Sequence, residues 1–117
     1  MKIKRWSVYL VDLRPGQGKK PGKIRPCISI RPDHFNALPS TVILPLTTRL
    51  VEKVEEYHPL RIRIPAGVAG LLETSDLLID QIMAWDNKNF LHEVGELPDA
   101  IIMDVSEALR EFMDVRA

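Results

Sequence analysis

Three stretches of the chain hold residue types that could do chemistry. The first is the loop Gly16-Gln17-Gly18-Lys19-Lys20-Pro21-Gly22-Lys23, which runs into Arg25-Pro26. Glycines let backbone N–H groups approach a phosphate, and lysines supply positive charge. The GxxxxGK[ST] spacing is absent, so nucleoside triphosphate binding is not supported. Arg25 differs from the lysines because it opens a predicted strand, where packing can fix its guanidinium for a two-pronged contact with phosphate oxygens. A solvated hairpin carrying a surface arginine is the plainer alternative. The second stretch is Thr47-Thr48, after Pro45 at the end of a predicted buried strand. A hydroxyl there can hold a phosphate oxygen, or it can merely satisfy nearby backbone. The third is Asp80-Gln81, a polar pair that could face a groove, although strand alternation sends one of the two to solvent.

Other reactive residue types point away from catalysis. His34, His58 and His92 are far apart and share no metal-ligand spacing, so each reads as a surface or turn residue. No serine lies in a nucleophile-elbow pattern. Cys27, the lone cysteine, sits in an apolar strand and reads as an inert core thiol; it can form neither an intrachain disulfide nor a cysteine zinc site. Trp6 and Trp85 read as packing residues. No metal or cofactor is expected.

The formal net charge of zero conceals a split. Residues 1–31 hold nine Lys/Arg against one acid, Asp12, a net +8, and the other 86 residues carry −8. Such asymmetry suggests one surface made for an anion, nucleic acid among them, unless folding interleaves the two halves.

The elements that must position these residues follow from pattern. Residues 6–13 are β-branched and aromatic and predict a strand. Residues 24–31 predict a second, with Pro26 at an edge or bulge because proline cannot donate to a ladder. A turn over residues 32–40 includes a short helical turn from Asp33. Residues 41–44 predict a buried strand running on to Thr48. Leu60 to Ile64 alternates as a half-exposed strand. Gly67 and Gly70 mark a turn. Residues 76–85 predict one further strand, and Asp86 a cap for a short helical segment through Leu91. Pro98-Asp99 then opens a helix over 99–115, with Ile101, Val105, Ala108, Leu109 and Phe112 on one face. Short strands followed by one amphipathic helix imply a small, strongly bent sheet or barrel closed by that helix.

Composition sets the frame. The chain has 117 residues, 45% hydrophobic and 27% charged, which suits one globular domain over 1–117. Its longest apolar run, Val42 to Leu46, is far short of the roughly 20 residues of a membrane span, and no signal-peptide stretch follows Met1. A soluble cytoplasmic protein is expected.

The order of segments resembles the MazF/PemK family of toxin endoribonucleases over nearly the whole chain. The matching pieces are Trp6-Ser7-Val8-Tyr9-Leu10-Val11-Asp12-Leu13-Arg14-Pro15, the loop from Gly18 to Gly22 with Arg25-Pro26, and Asn36. They continue with Thr41 to Thr47 ending in Pro-x-Thr, Gly70-Leu71, Asp80-Gln81-Ile82, Trp85-Asp86, Gly95-Glu96-Leu97 and the terminal helix. The resemblance implies a homodimer with an SH3-like barrel core. It also implies metal-independent cleavage of single-stranded RNA to 2′,3′-cyclic phosphate and 5′-hydroxyl ends. It maps the catalytic arginine onto Arg25 and the catalytic threonine onto Thr47, with Thr48 the alternative hydroxyl. Lys19, Lys20, Lys23, Asn36, Thr48, Asp80 and Gln81 become the expected RNA-binding residues. The implied partners are single-stranded RNA and a cognate antitoxin with an acidic, partly disordered segment. This chain departs from many relatives in carrying Lys19-Lys20 where they have Ser-Glu, which should strengthen phosphate attraction and alter sequence preference. It also has Leu78 where some carry an arginine.

Two other functions fit the same outline. A gyrase poison of the CcdB type shares the barrel but relies on a C-terminal tryptophan, and none follows Trp85. A catalytically silent barrel would keep the basic loop while Arg25 and Thr47 served structure alone.

Overall fold

The computed structural model describes residues 1–14 and 23–116. The glycine- and lysine-rich loop, with Lys19 and Lys20, lies outside the described residues. Seven strands form one bent sheet: β1 (Ser7–Asp12), β2 (Ile24–Ser29), β3 (Ser40–Thr47), β4 (Arg61–Ile64), β5 (Ser75–Leu78), β6 (Met83–Asp86) and β7 (Phe90–Glu96), followed by one helix, α1 (Asp99–Met113). Their order is β4-β5-β3-β2-β1-β7, with β6 also paired to β3, and every pairing is antiparallel.

The bend comes from β3, whose two halves serve different partners. Ser40 to Ile43 pair with β6, and Leu46 and Thr47 pair with β5. The chain between β5 and β6 therefore cannot be one strand. The expected strand over 76–85 is broken by a 3₁₀ turn, Ile79–Gln81, which carries the chain from one half of β3 to the other. The expected helical segment after Asp86 is likewise shorter than its sequence suggests. Asp86 does accept a hydrogen bond from the Lys88 N–H (3.2 Å), but the 3₁₀ turn spans only Asn87–Asn89. From Phe90 the chain becomes β7, because pairing with β1 outweighs the local helical signal.

Two buried clusters lie on opposite faces of β1. Val8 joins Leu44, Leu46, Ile64, Leu77 and Ile79 beneath α1, which contributes Val105 and Ala108. Tyr9 and Val11 join Cys27, Ile43 and Phe90 on the other face. Burial on both faces explains why β1 reads as a near-continuous apolar run. The helix ends two residues earlier than expected, with Asp114 in the left-handed region at φ 38°. Its last turn leaves Phe112 39% exposed, outside the buried stripe. Trp6 packs against the first cluster, and the Trp85 indole N–H donates to the Asp12 carbonyl (2.9 Å), so both tryptophans are packing residues as expected. Among the described residues no helix is long and apolar enough to cross a membrane.

The folded arrangement also disposes of several N-terminal charges. Arg31 is buried and donates to the Ser40 carbonyl (3.1 Å) and Asn36 Oδ1 (3.3 Å). Lys4 bridges Glu93 (3.1 Å) and Glu96 (2.9 Å), and Arg14 pairs with Asp12. Part of the +8 is thus absorbed by structure, while Lys23 and Arg25 remain at one place on the surface.

Candidate active site

Arg25 and Thr47 lie just beyond the end of one ladder. Strands β2 and β3 pair as Ser29↔Ile43, Ile28↔Leu44 and Cys27↔Pro45. Extended two residues further along each strand, that register would set Arg25 opposite Thr47, and both residues line one cavity there. Pairing stops before that point, where Pro26 and Pro45 have removed two backbone donors. Pro26 is held by β1, opposite Leu10, while its β3 side is unpaired, which is the edge position its sequence predicts. Strand alternation puts Arg25 and Thr47 on one face of the sheet.

Where the ladder ends, a cavity of about 280 Å³ opens. Lys23, Arg25, Thr47, Thr48, Arg49 and Glu73 line it, with Ile24, Pro26 and Leu46. Among the described residues three cations and one carboxylate line it, a balance that favours an anion. A neighbouring cavity of about 450 Å³ shares Pro26, Thr48 and Glu73 and continues past Leu10, Leu72 and His92 to Glu93. The two cavities adjoin through Pro26, Thr48 and Glu73.

Both hydroxyls line the first cavity. Thr47 Oγ1 accepts a hydrogen bond from the Arg49 N–H at 3.1 Å, a local turn motif that fixes the rotamer and leaves the hydroxyl proton for a ligand. Thr48 lines both cavities and is exposed. Beneath Arg25, Cys27 is fully buried; burial pushes its thiol up to about 12, against the opposing pull of the Arg25 charge. It is the inert core thiol its position suggests.

The structure does not gather every expected residue here. Asn36 lies in the turn after β2 and holds Arg31, a scaffolding position. Asp80 and Gln81 are exposed on the 3₁₀ turn beside α1, outside both cavities. Among the described residues no group of three or more His, Cys, Asp or Glu converges to hold a metal. Two lining residues escaped the sequence reading. Arg49 follows Thr47-Thr48 directly, and that adjacency was its only signal. Glu73 comes from the loop before β5, and nothing in the sequence ties it to Arg25.

The sequence and the bent sheet closed by one helix match known proteins. The family described as PemK-like, MazF-like toxin of type II toxin–antitoxin system matches residues 4–113. The chain is 31% identical over 110 residues to endoribonuclease EndoA of Bacillus subtilis (strain 168), covering 94% of this chain and 93% of that protein. The fold matches a crystal structure of MazF from Deinococcus radiodurans with a TM-score of 0.78 at 18% identity, over 98% of this chain and 99% of that one. It also matches a mycobacterial endoribonuclease in complex with its cognate antitoxin, with a TM-score of 0.74 at 19% identity, over 99% and 97% of the two chains. The chain belongs to the PemK-like, MazF-like family of type II toxins.

Proposed function

We propose that this chain, acting as one domain over 1–117, is the toxin of a type II toxin–antitoxin pair. Its activity on this reading is sequence-selective cleavage of single-stranded RNA in the cytoplasm, with no metal or cofactor required. The observation that carries the reading is that Arg25 and Thr47 line one cation-rich cavity just past the end of the β2–β3 ladder, in a chain 31% identical to an endoribonuclease.

The chemistry is transesterification within the RNA. The ribose 2′-oxygen attacks the adjacent phosphorus, the bond to the 5′-oxygen of the next nucleotide breaks, and a 2′,3′-cyclic phosphate and a 5′-hydroxyl result. Negative charge grows on the non-bridging oxygens as the new bond forms. Arg25 stabilises that charge through its forked donors, and Thr47 donates its hydroxyl proton to one of the same oxygens. Glu73, the one carboxylate lining the cavity among the described residues, accepts the 2′-hydroxyl proton; the departing 5′-oxygen is protonated from Arg25 or solvent. Lys23 and Arg49 hold flanking phosphates and Thr48 extends the RNA path; the RNA contacts expected at Lys19 and Lys20 fall outside the described residues, and Asn36, Asp80 and Gln81 stand apart from the two cavities. Dependence on the 2′-hydroxyl would restrict the enzyme to RNA.

The working form on this reading is a homodimer, and exposed apolar side chains such as Met103 and Met113 on α1 leave surface for a second copy. The antitoxin would present an acidic, extended segment to the basic cavity.

Incubating wild type, Arg25→Ala and Thr47→Val with a long RNA in excess EDTA tests this directly. Discrete fragments from wild type alone, with both variants folded by circular dichroism, support it. Undiminished cleavage by both variants overturns the assignment of the site.

A further inference from the structure

Thr47 is the last residue of β3, and the chain leaves the sheet immediately after it. A buried carboxylate braces that departure. Asp76 on β5 stands in register with Thr47 and is fully buried. Arg63 donates to both of its oxygens (2.8 and 3.2 Å), and Arg61 donates to one (3.1 Å). The same two guanidiniums reach past it to the loop. Arg61 Nη1 also donates to the Arg49 carbonyl (3.1 Å), and Arg63 Nη2 donates to the Val51 carbonyl. The Val51 N–H returns to Asp76 Oδ2 (3.4 Å). The Arg49 N–H, one peptide away, is the donor to Thr47 Oγ1.

We propose that Arg61, Arg63 and Asp76 form a positioning clamp that sets the Thr47–Val51 corner and, through the Arg49 N–H, the Thr47 hydroxyl for the cleavage step. The proposal rests on the reading of Thr47 as a phosphate-binding hydroxyl. Stability alone gives little reason for such a cluster, because buried ion pairs can often be replaced by apolar residues without loss. The arrangement instead spends its forked donors on carbonyls of a segment outside the sheet, which a lysine's single ammonium could not match in geometry. Alternation along Leu60-Arg61-Ile62-Arg63-Ile64 places both arginines on the face that meets Asp76.

Arg61→Ala is the test, because Arg63 still pairs with Asp76 and the fold should survive. Amide hydrogen exchange at Arg49 and Val51 should accelerate about tenfold or more. For a cleavable RNA oligonucleotide, kcat should fall about tenfold or more with KM within about twofold of wild type. Arg61→Lys should recover part of both. The Arg61→Ala/Thr47→Val double variant should be no slower than Thr47→Val, since Arg61 acts through Thr47. Unchanged exchange at Arg49 and Val51 overturns the clamp whether or not RNA is cut. A double variant whose two losses multiply overturns its action through Thr47. Wild-type cleavage by Thr47→Val overturns the reading of Thr47 and the clamp's catalytic role with it, while the exchange measurement still decides whether the corner is braced.

Discussion

Arg25 and Thr47 lie two residues past Cys27↔Pro45, the last pair of the β2–β3 register, and line one cavity where the backbone ladder has ended. The backbone brings them together and leaves the space between them open. A cation and a hydroxyl lining one cavity are suited to an oxyanion. Replacing Arg25 should therefore remove transition-state stabilisation with little cost to the fold. Arg25→Ala should lower kcat by about 10²–10³-fold, the usual loss on removing one such donor, while its unfolding midpoint in urea stays near that of wild type. A collapse of the fold would make Arg25 structural instead.

Asp76 carries a pH signature. Burial pushes its carboxyl up, but hydrogen bonds from Arg63, the Val51 N–H and Arg61 outweigh this and hold it below the usual carboxylate range. A folded-state value below the unfolded one contributes stability that is present above the unfolded value. That stability is lost as pH falls through the folded value. Thermal midpoints should be flat near neutrality and decline below about pH 4. Asp76→Ala should cost about 3–5 kcal/mol at neutral pH, because it leaves two arginines facing a buried gap, and should make the acid decline shallower. Urea titrations of both proteins at several pH values measure it.

Gly70 and Gly95 resolve two short motifs of the sequence into one contact. Gly70 takes φ +76°, and a Cβ there would run into the Val94 carbonyl; a Cβ on Gly95 would run into the Ala69 carbonyl. Each glycine lets the turn before β5 lie flat on β7. Gly95→Ala should destabilise the protein by about 1–3 kcal/mol, the usual cost of forced overpacking, as read from its urea midpoint. Wild-type stability would mean the two segments can separate freely.

Cys27 offers a simple check of the core. With its thiol buried and pushed up to about 12, it should resist iodoacetamide at pH 8 in the native protein and react promptly in urea. Rapid native labelling, followed by mass spectrometry, would show that the floor beneath Arg25 opens.

An antitoxin peptide rich in Asp and Glu should bind the Arg25 cavity through charge. Its affinity should fall steeply between low salt and physiological salt, as measured by calorimetry. An affinity independent of salt would place the contact elsewhere.

Much of the scaffold was legible from residue pattern, and its failures have physical causes. Residues 6–13 and 24–31 announce β1 and β2 through β-branched and aromatic density, and the 3.6-residue period announces α1. The turn at Ile79–Gln81 was hidden, because Leu77-Leu78-Ile79 looks like one continuous strand and only the two-sided demand of β3 breaks it. Strand β7 was hidden for the opposite reason: its residues largely face solvent and its register with β1 slips twice, so no alternation survives. In the site, Arg25 and Thr47 were legible as types at strand ends. Arg49 and Glu73 were not, since their place depends on how loops converge. The role of Arg61 and Arg63 was concealed in a strand that reads as merely half-exposed.

The central claim is that Arg25 and Thr47 serve a phosphate attacked by its neighbouring 2′-oxygen. The most direct measurement incubates the protein, in EDTA, with total cellular RNA and captures the new 5′-hydroxyl ends by sequencing. The recovered site is then placed in an oligonucleotide with one 2′-deoxy nucleotide just upstream of the cut. A shared sequence at the captured ends, cleavage of the all-ribose oligonucleotide and complete resistance of the 2′-deoxy version are expected. Intact RNA across the whole pool, or equal cleavage of the 2′-deoxy substrate, would contradict that claim.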